Sequence, residues 1–334
     1  MATARIRGVG LYAPGEAIDN SELVELTGIE LDAARLEEKL GIQRRHIAHL
    51  RGLDETTADF AERAAREAIA DAGVDPEEVG LFVVGTDTPE YISPATAVLI
   101  QGRIQGRQSS AASFDVGTSC AGFVTSLDAA ARMLAGSRTM RYAVVVGVYN
   151  MPRYVRPGDA FGYSIFADGA GAVLLERVED GTGYEDGEFV TDGTQWDFVG
   201  VYAGGTRKPV TKELLDSGEY GLENLKRLPG DRNVNLWPPL VRTLIGRNGM
   251  TERDIDHIIF TQINRSVIAE VMGILGLPME KTTTIMDRYG YTGSGCVPMA
   301  LYHAVKEERV KPGDRLVLVA SGAGLSVGAN LLTL

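Results

Sequence analysis

Hydrophobic spacing along the chain alternates between the period of a helix and the short apolar runs of buried strands. Across residues 57–72, Phe60, Ala64, Ala65, Ala68 and Ile69 fall on one helical face, and Gly73 stops the helix. The run Leu81-Phe-Val-Val-Gly85 follows as a short strand of the kind covered on both faces. The same signals predict a helix over 94–104, a strand over 113–116, a helix over 121–134 and strands over 142–147 and 172–176. Little charge falls on the 121–134 helix, so it is expected to be buried. The opening residues, 1–10, read as a first strand.

The order recurs later in the chain. Ile258-Ile-Phe-Thr261 is a predicted strand after the acidic turn Asp254-Ile-Asp256, much as Leu81 follows Pro76-Glu-Glu-Val79. A helix over 266–275, a strand over 284–287, a Gly-rich turn over 289–295 leading into a helix through 305, and a strand over 316–320 complete the second unit. Such duplication predicts an α/β fold of two halves, 1–177 and 178–334, packed about a pseudo-dyad. The helices that follow Cys120 and Tyr291 would then lie side by side and bring turn chemistry from both halves into one pocket. Residues 178–237 are more polar, rich in Gly and Asp, and are the expected place for a lid, a substrate-shaping excursion or the boundary between halves. Within this insert, Trp196 and Tyr202 either line a ligand cavity or form local core.

Composition narrows the function classes. A chain of 334 residues with 44% hydrophobic content supports a sizeable core, and a net charge of −12 without any Lys/Arg-rich run argues against nucleic-acid binding. Short basic clusters at 43–46 and 205–208 still allow an acidic protein partner to dock. No stretch approaches a membrane span and the first residues lack the apolar core of a signal peptide, so a cytoplasmic location is expected. Two cysteines agree with a reducing compartment and exclude a disulfide scaffold. The four histidines show no ligand spacing beyond the weak His46/His49 pair, and no Cys-x-x-Cys occurs, so no metal is expected. Phe166-Ala-Asp-Gly-Ala-Gly-Ala172 is Gly-rich but runs into apolar Val173-Leu-Leu175, as a turn feeding a strand does and a phosphate loop does not.

The best candidate nucleophile is Cys120. In Asp115-Val-Gly-Thr-Ser-Cys-Ala-Gly-Phe123 an apolar strand gives way to a turn and then to the 121–134 helix, so the thiol lies at a helix N-terminus that favours thiolate. The alternative is a small buried hydrophobe filling a tight turn.

Seven segments in order carry a family resemblance: Gly41-Ile-Gln-Arg-Arg-His-Ile-Ala48, Glu55-Thr-Thr-Ala58, Asp71-Ala-Gly-Val-Asp-Pro76, Ser119-Cys-Ala-Gly-Phe123, Phe166–Ala172, Asp287-Arg-Tyr-Gly290 and the ending Gly322–Leu332. Over nearly its whole length the chain resembles the ketoacyl-acyl-carrier-protein synthase III branch of the thiolase superfamily. The resemblance implies a five-layered αβαβα thiolase fold, a dimer of like or homologous subunits, and Cys120 as acceptor of an acyl group from coenzyme A or acyl carrier protein. The thioester would be a substrate, so no cofactor is implied.

Departures from the family pattern shape the expected chemistry. Phe260-Thr-Gln-Ile-Asn264 puts Thr261 where malonyl-condensing members carry a His, and Tyr289-Gly-Tyr-Thr292 puts Tyr291 in the slot of their Asn. Hydroxyls at Thr261 and Tyr291 can donate to a thioester oxygen but cannot accept a proton near pH 7. His257, just ahead of Thr261, would cap or orient the strand. Asn264 closes the same stretch, and Ala323 in Ser321-Gly-Ala-Gly324 matches the loop that supplies a backbone oxyanion donor, with Gly324 beside it. Arg153 falls where the family has an Arg near the adenine of coenzyme A, Arg35 replaces the Trp opposite it, and both are otherwise surface residues. Glu90, before Ser93-Pro94, is the first acidic residue to test as a substitute base. These features imply an acyltransferase of specialised lipid or polyketide metabolism, with non-decarboxylative joining or transfer to an oxygen or nitrogen nucleophile favoured over residual decarboxylative condensation, which stays open. A catalytically degenerate partner of an active homologue is the second reading, and simple acyl-thioester binding the third.

Overall fold

Two sheets with the same strand order organise the computed structural model, which describes residues 2–334. In the first sheet Thr3–Tyr12, Gly169–Val178, Tyr142–Tyr149, Val79–Gly85 and Ala112–Val116 are neighbours in that order, the first two pairings antiparallel and the last two parallel. In the second, Gly183–Gln195, Gly324–Thr333, Arg315–Gly322 and His257–Phe260 repeat the first four positions with the same senses.

The fifth position differs. Only a parallel bridge between Ile258 and Thr282 remains, and Met286–Tyr289 is helical, so the strand expected over 284–287 does not form. Gln262 explains the change. Its Nε2 donates to the Thr283 carbonyl at 3.2 Å and its Oε1 accepts from the Ile285 N–H at 2.8 Å, so one side-chain amide stands in for a neighbouring strand. The polar insert is also more regular than its composition suggests. It supplies the edge strand Gly183–Gln195 and a small ladder of Val199–Val201 with Leu222–Asn224.

Helices fill the remaining layers. Thr57–Ala72 begins at a reciprocal Thr56/Asp59 cap, ends at Gly73 with φ 64°, and buries Phe60, Ala61, Ala64, Ala65, Ala68 and Ile69 against the outer face of the first sheet. Arg232–Arg247 covers the outer face of the second sheet and packs on Arg265–Leu275. Between the sheets lie Gly122–Gly136 and Cys296–Lys306, each touching strands of both, which completes five αβαβα layers. The first of these buries Phe123, Val124, Leu127, Ala130, Ala131 and Leu134, each Leu or Phe contributing on the order of 1.5–3 kcal/mol. Its start can approach the first sheet closely because Gly85 and Gly122 meet backbone to backbone. A Cβ on Gly85 would overlap the Gly122 carbonyl group. That contact seats the turn before the helix on the strand ends. No helix of the described residues is long and apolar enough to cross a membrane.

Candidate active site

Cys120 stands in a single 3-10 turn, Ser119–Ala121, between the strand Ala112–Val116 and the helix Gly122–Gly136. Ser119 has φ 51°, a left-handed conformation that costs a residue with a Cβ on the order of 1–3 kcal/mol and needs the surroundings to hold it. Its hydroxyl donates to Asp87 Oδ2 at 2.7 Å and lies 3.7 Å from Cys120 Sγ. Asp87 comes from the loop after Val79–Gly85, and buried threonines pin that loop on both sides. The Thr86 N–H donates to the Val116 carbonyl at 3.1 Å, Thr88 Oγ1 accepts from the Asn150 N–H at 2.9 Å, and Thr57 donates to the Thr88 carbonyl at 2.7 Å. The second carboxylate oxygen, Asp87 Oδ1, is buried and accepts no hydrogen bond from the described residues.

Chain from the second half forms the opposite wall. Thr261 follows the strand His257–Phe260, and its Oγ1 accepts from the Ser321 N–H at 3.0 Å. Ser321 in turn accepts from Trp237 Nε1 at 2.6 Å, and the indole stacks on Phe260 at 5.0 Å between centroids. Gly322 packs so close to the Cys120 turn that an added Cβ would overlap the Thr118 carbonyl and stand 3.1 Å from the Cys120 nitrogen. The loop can therefore present Ala323 beside Cys120 only with glycine before it. Tyr291 is held by its backbone, donating to the Ile165 carbonyl and accepting from the Ala167 N–H, both at 2.9 Å. Its ring packs on Phe166 and Tyr149 at 6.0 and 6.3 Å, and its side chain shares the cleft with Cys120.

Between these walls opens a cleft of about 100 Å³. Met151, Phe161, Phe166 and Ile263 form its apolar side, and Val199, Leu222 and Asn224 bring the polar insert into it. Arg232 and Asn233 from the start of Arg232–Arg247 close the polar side.

Electrostatics at Cys120 run against the thiolate expected from the sequence. Cys120 is only 9% exposed, and burial, then the charge of Asp87, pushes its thiol up to about 12, with the nearby Tyr291 and Ser119 hydroxyls opposing that shift. The resting group is the thiol. Burial also raises Asp87 above the usual carboxylate range, against the Ser119 hydrogen bond. Burial also lowers Arg232, which lines the same cleft.

Of the residues singled out from the sequence, the cleft brings together Cys120, Thr261, Tyr291 and Ala323. Others lie elsewhere. Asn264 is turned to the start of Arg265–Leu275, where its Oδ1 accepts from the Ser266 N–H at 3.0 Å and the Val267 N–H at 3.3 Å. Glu90 points away from Cys120: it accepts from Thr56 Oγ1 and the Ala58 N–H at 2.8 Å and caps the helix Thr57–Ala72. Trp196 is 65% exposed and packs edge-on against Tyr202 at 6.1 Å, outside the cleft lining. Gly324 begins the final strand behind the lining. Arg35 is exposed on the helix Ala33–Leu40, and Arg153 is an exposed neighbour of Asp54 at 4.0 Å. None of the four histidines lines the cleft. Asp87 and Arg232 were not singled out from the sequence. Asp87 at least carries a legible signal, a carboxylate two residues beyond the C-terminal end of a central parallel strand, where open α/β sheets bind ligands.

A cysteine heading a buried helix between two matching sheets, with turns from both halves around it, defines a thiolase-like acyl-transferring enzyme. Comparison with known proteins narrows the class. Residues 114–193 match the family described as 3-oxoacyl-[acyl-carrier-protein (ACP)] synthase III, and residues 245–334 match its C-terminal part. A β-ketoacyl-[acyl-carrier-protein] synthase III of Alkalilimnicola ehrlichii is 35% identical over 337 residues, covering 99% of this chain and 99% of that one. The 3-oxoacyl-[acyl-carrier-protein] synthase III from Aquifex aeolicus VF5 superposes with a TM-score of 0.85 at 28% identity, covering 99% of this chain and all 100% of its own. The priming β-ketosynthase of the R1128 polyketide biosynthetic pathway gives 0.87 at 27% identity, with 99% and 96% covered. The chain belongs to the 3-oxoacyl-[acyl-carrier-protein] synthase III family.

Proposed function

We propose that this enzyme takes an acyl group from a coenzyme A or acyl-carrier-protein thioester onto Cys120 and passes it to an acceptor without standard malonyl decarboxylation, in specialised lipid or polyketide biosynthesis. One observation carries the reading: Thr261 and Tyr291 share the cleft with Cys120 and no histidine lines it. By resemblance, malonyl-condensing members use a His and an Asn at those positions to stabilise the enolate. Two hydroxyls still offer hydrogen bonds to a thioester oxygen, which supports acyl transfer. Neither accepts a proton near pH 7, which disfavours steps that need a strong base at those positions. Met151, Phe161, Phe166 and Ile263 give an acyl chain an apolar wall. The acyl thioester is itself the substrate, so the reading calls for no resident cofactor. Similarity to a priming ketosynthase supports a starter-loading role. The half-exposed edge strand Ala112–Val116 supports assembly as a homodimer through that edge.

Intact-mass spectrometry with a panel of acyl-coenzyme A and acyl-carrier-protein donors tests the proposal. An acyl adduct that Cys120→Ala abolishes is expected, with no carbon dioxide released from malonyl thioesters. The double variant Thr261→His, Tyr291→Asn is expected to gain decarboxylation. No adduct with any donor, together with tight binding to a homologous ketosynthase, would replace this reading with that of a catalytically degenerate partner subunit.

A further inference from the structure

The cleft holds one carboxylate, and it is joined to the nucleophile by a single hydroxyl. Ser119 Oγ donates to Asp87 Oδ2 at 2.7 Å and sits 3.7 Å from Cys120 Sγ, inside hydrogen-bond range for sulfur. Two features set this arrangement apart. Ser119 keeps its left-handed φ of 51° in making the link, and Asp87 Oδ1 is buried in the cleft without a partner. The loop carrying Asp87 is fixed by Thr86, Thr88 and Asn150, so the carboxylate is preorganised. Other titratable or charged groups around Asp87 are Cys120, Tyr149 at the end of Tyr142–Tyr149, Tyr154 of the turn Met151–Tyr154, Tyr291, and Arg232 at the start of Arg232–Arg247. None of them is a base near pH 7.

We propose that Asp87, acting through the Ser119 hydroxyl, is the proton acceptor for Cys120. The proposal deepens the acyl-transfer reading and rests on it for the natural electrophile. During acylation the Sγ–H bond breaks as Sγ attacks the thioester carbon. Ser119 Oγ receives that proton while passing its own to Asp87 Oδ2. As the carbon–sulfur bond to the donor breaks, the leaving thiolate takes the proton from Asp87. In the second half-reaction the acceptor's proton goes to Asp87, the acyl carbon bonds the acceptor, and the released Cys120 thiolate is reprotonated through Ser119. No redox partner enters, and charge balances at each step. Concerted transfer suits a site in which the free thiolate is unfavourable.

Alkylation of Cys120 by iodoacetamide, followed by intact mass across a pH series, tests the relay without any acyl donor. Cys120→Ala supplies the background. The relay predicts that wild-type alkylation rises with the ionisation of a carboxylate, well below the range of a free thiol. It also predicts that Asp87→Asn and Ser119→Ala each slow the neutral-pH rate by roughly 10²-fold and move the profile to alkaline pH. A purely electrostatic role for Asp87 predicts the opposite sign, because deleting a neighbouring negative charge makes the thiol easier to ionise. Unchanged or faster alkylation in Asp87→Asn overturns the proposal. Ser119→Ala keeps the test decisive if Asp87→Asn does not fold, since wild-type reactivity without the hydroxyl would equally overturn it. Failure of every thioester to acylate the wild type would instead strike the acyl-transfer reading while leaving the alkylation profile to judge the relay.

Discussion

Replacing His257 separates a structural from a catalytic histidine. The ring is 1% exposed, and its Nε2 shares a hydrogen bond with Thr283 Oγ1 at 2.8 Å. Burial, helped by the positive charges of Arg309 and Lys281, lowers its pKa from 6.5 to about 4. As pH falls, the unfolded chain takes up this proton near 6.5 while the native protein resists until about 4, so the unfolded state binds more protons in that window. The stabilising effect is complete above 6.5 and is lost as pH drops through about 4. A gap of 6.5 − 4 = 2.5 pH units, at about 1.36 kcal/mol per unit, is on the order of 3 kcal/mol. His257→Gln keeps a polar group within reach of Thr283 and does not titrate. Near pH 7 it should lower stability by about 1 kcal/mol, and that deficit should reverse as pH approaches about 4. Urea unfolding of both proteins across this range measures the difference. Asp168, which burial raises to about 7, titrates with opposite sign in both and cancels from it. Acylation of Cys120 at neutral pH should be unchanged. A stability difference that does not vary with pH would refute the linkage argument, and a roughly 10²-fold loss of acylation in a folded variant would make His257 catalytic.

Two further outcomes are expected. Tyr291→Phe deletes a cleft hydroxyl that opposes the upward shift of the Cys120 thiol and can donate to a thioester oxygen, and loss of one hydrogen bond, about 0.5–1.5 kcal/mol, should slow acylation up to roughly tenfold; a mass time course with the best donor checks this, and an unchanged rate would remove Tyr291 from the reaction. Sedimentation should give a species of twice the chain mass of 35.9 kDa, and a monomer at micromolar concentration would refute pairing through the edge Ala112–Val116.

Much of the architecture is legible because burial on two faces leaves a simple trace. Val79–Gly85 and Tyr142–Tyr149 are continuous apolar runs, and the helix Thr57–Ala72 begins and ends where spacing and Gly73 place it. The edge strand Gly183–Gln195 is hidden because it is only half covered and carries Gly and Asp among its exposed positions. The segment after Thr282 fails for a different reason. Its β-branched residues favour a strand, but the partner that satisfies its backbone is the Gln262 side chain, a tertiary contact no local pattern encodes.

The site divides along the same line. Cys120, Thr261, Tyr291 and Ala323 converge because each lies where a strand ends or a helix begins, and the two sheets bring those ends together. Asp87 and Glu90 share one loop, and sequence alone does not say which turns inward. The hydrogen bonds of Thr56 and Ala58 draw Glu90 to a helix start, while Thr86 and Thr88 aim Asp87 at Ser119. The thiolate expectation had the right contribution and the wrong balance. A helix N-terminus favours a negative charge by at most about 2 kcal/mol. Burial and Asp87 move the thiol from 9.0 to about 12, a penalty on the order of 4 kcal/mol. Desolvation wins, so under the proposed acyl transfer the proton leaves Cys120 during attack rather than before it, which calls for an acceptor already within the cleft.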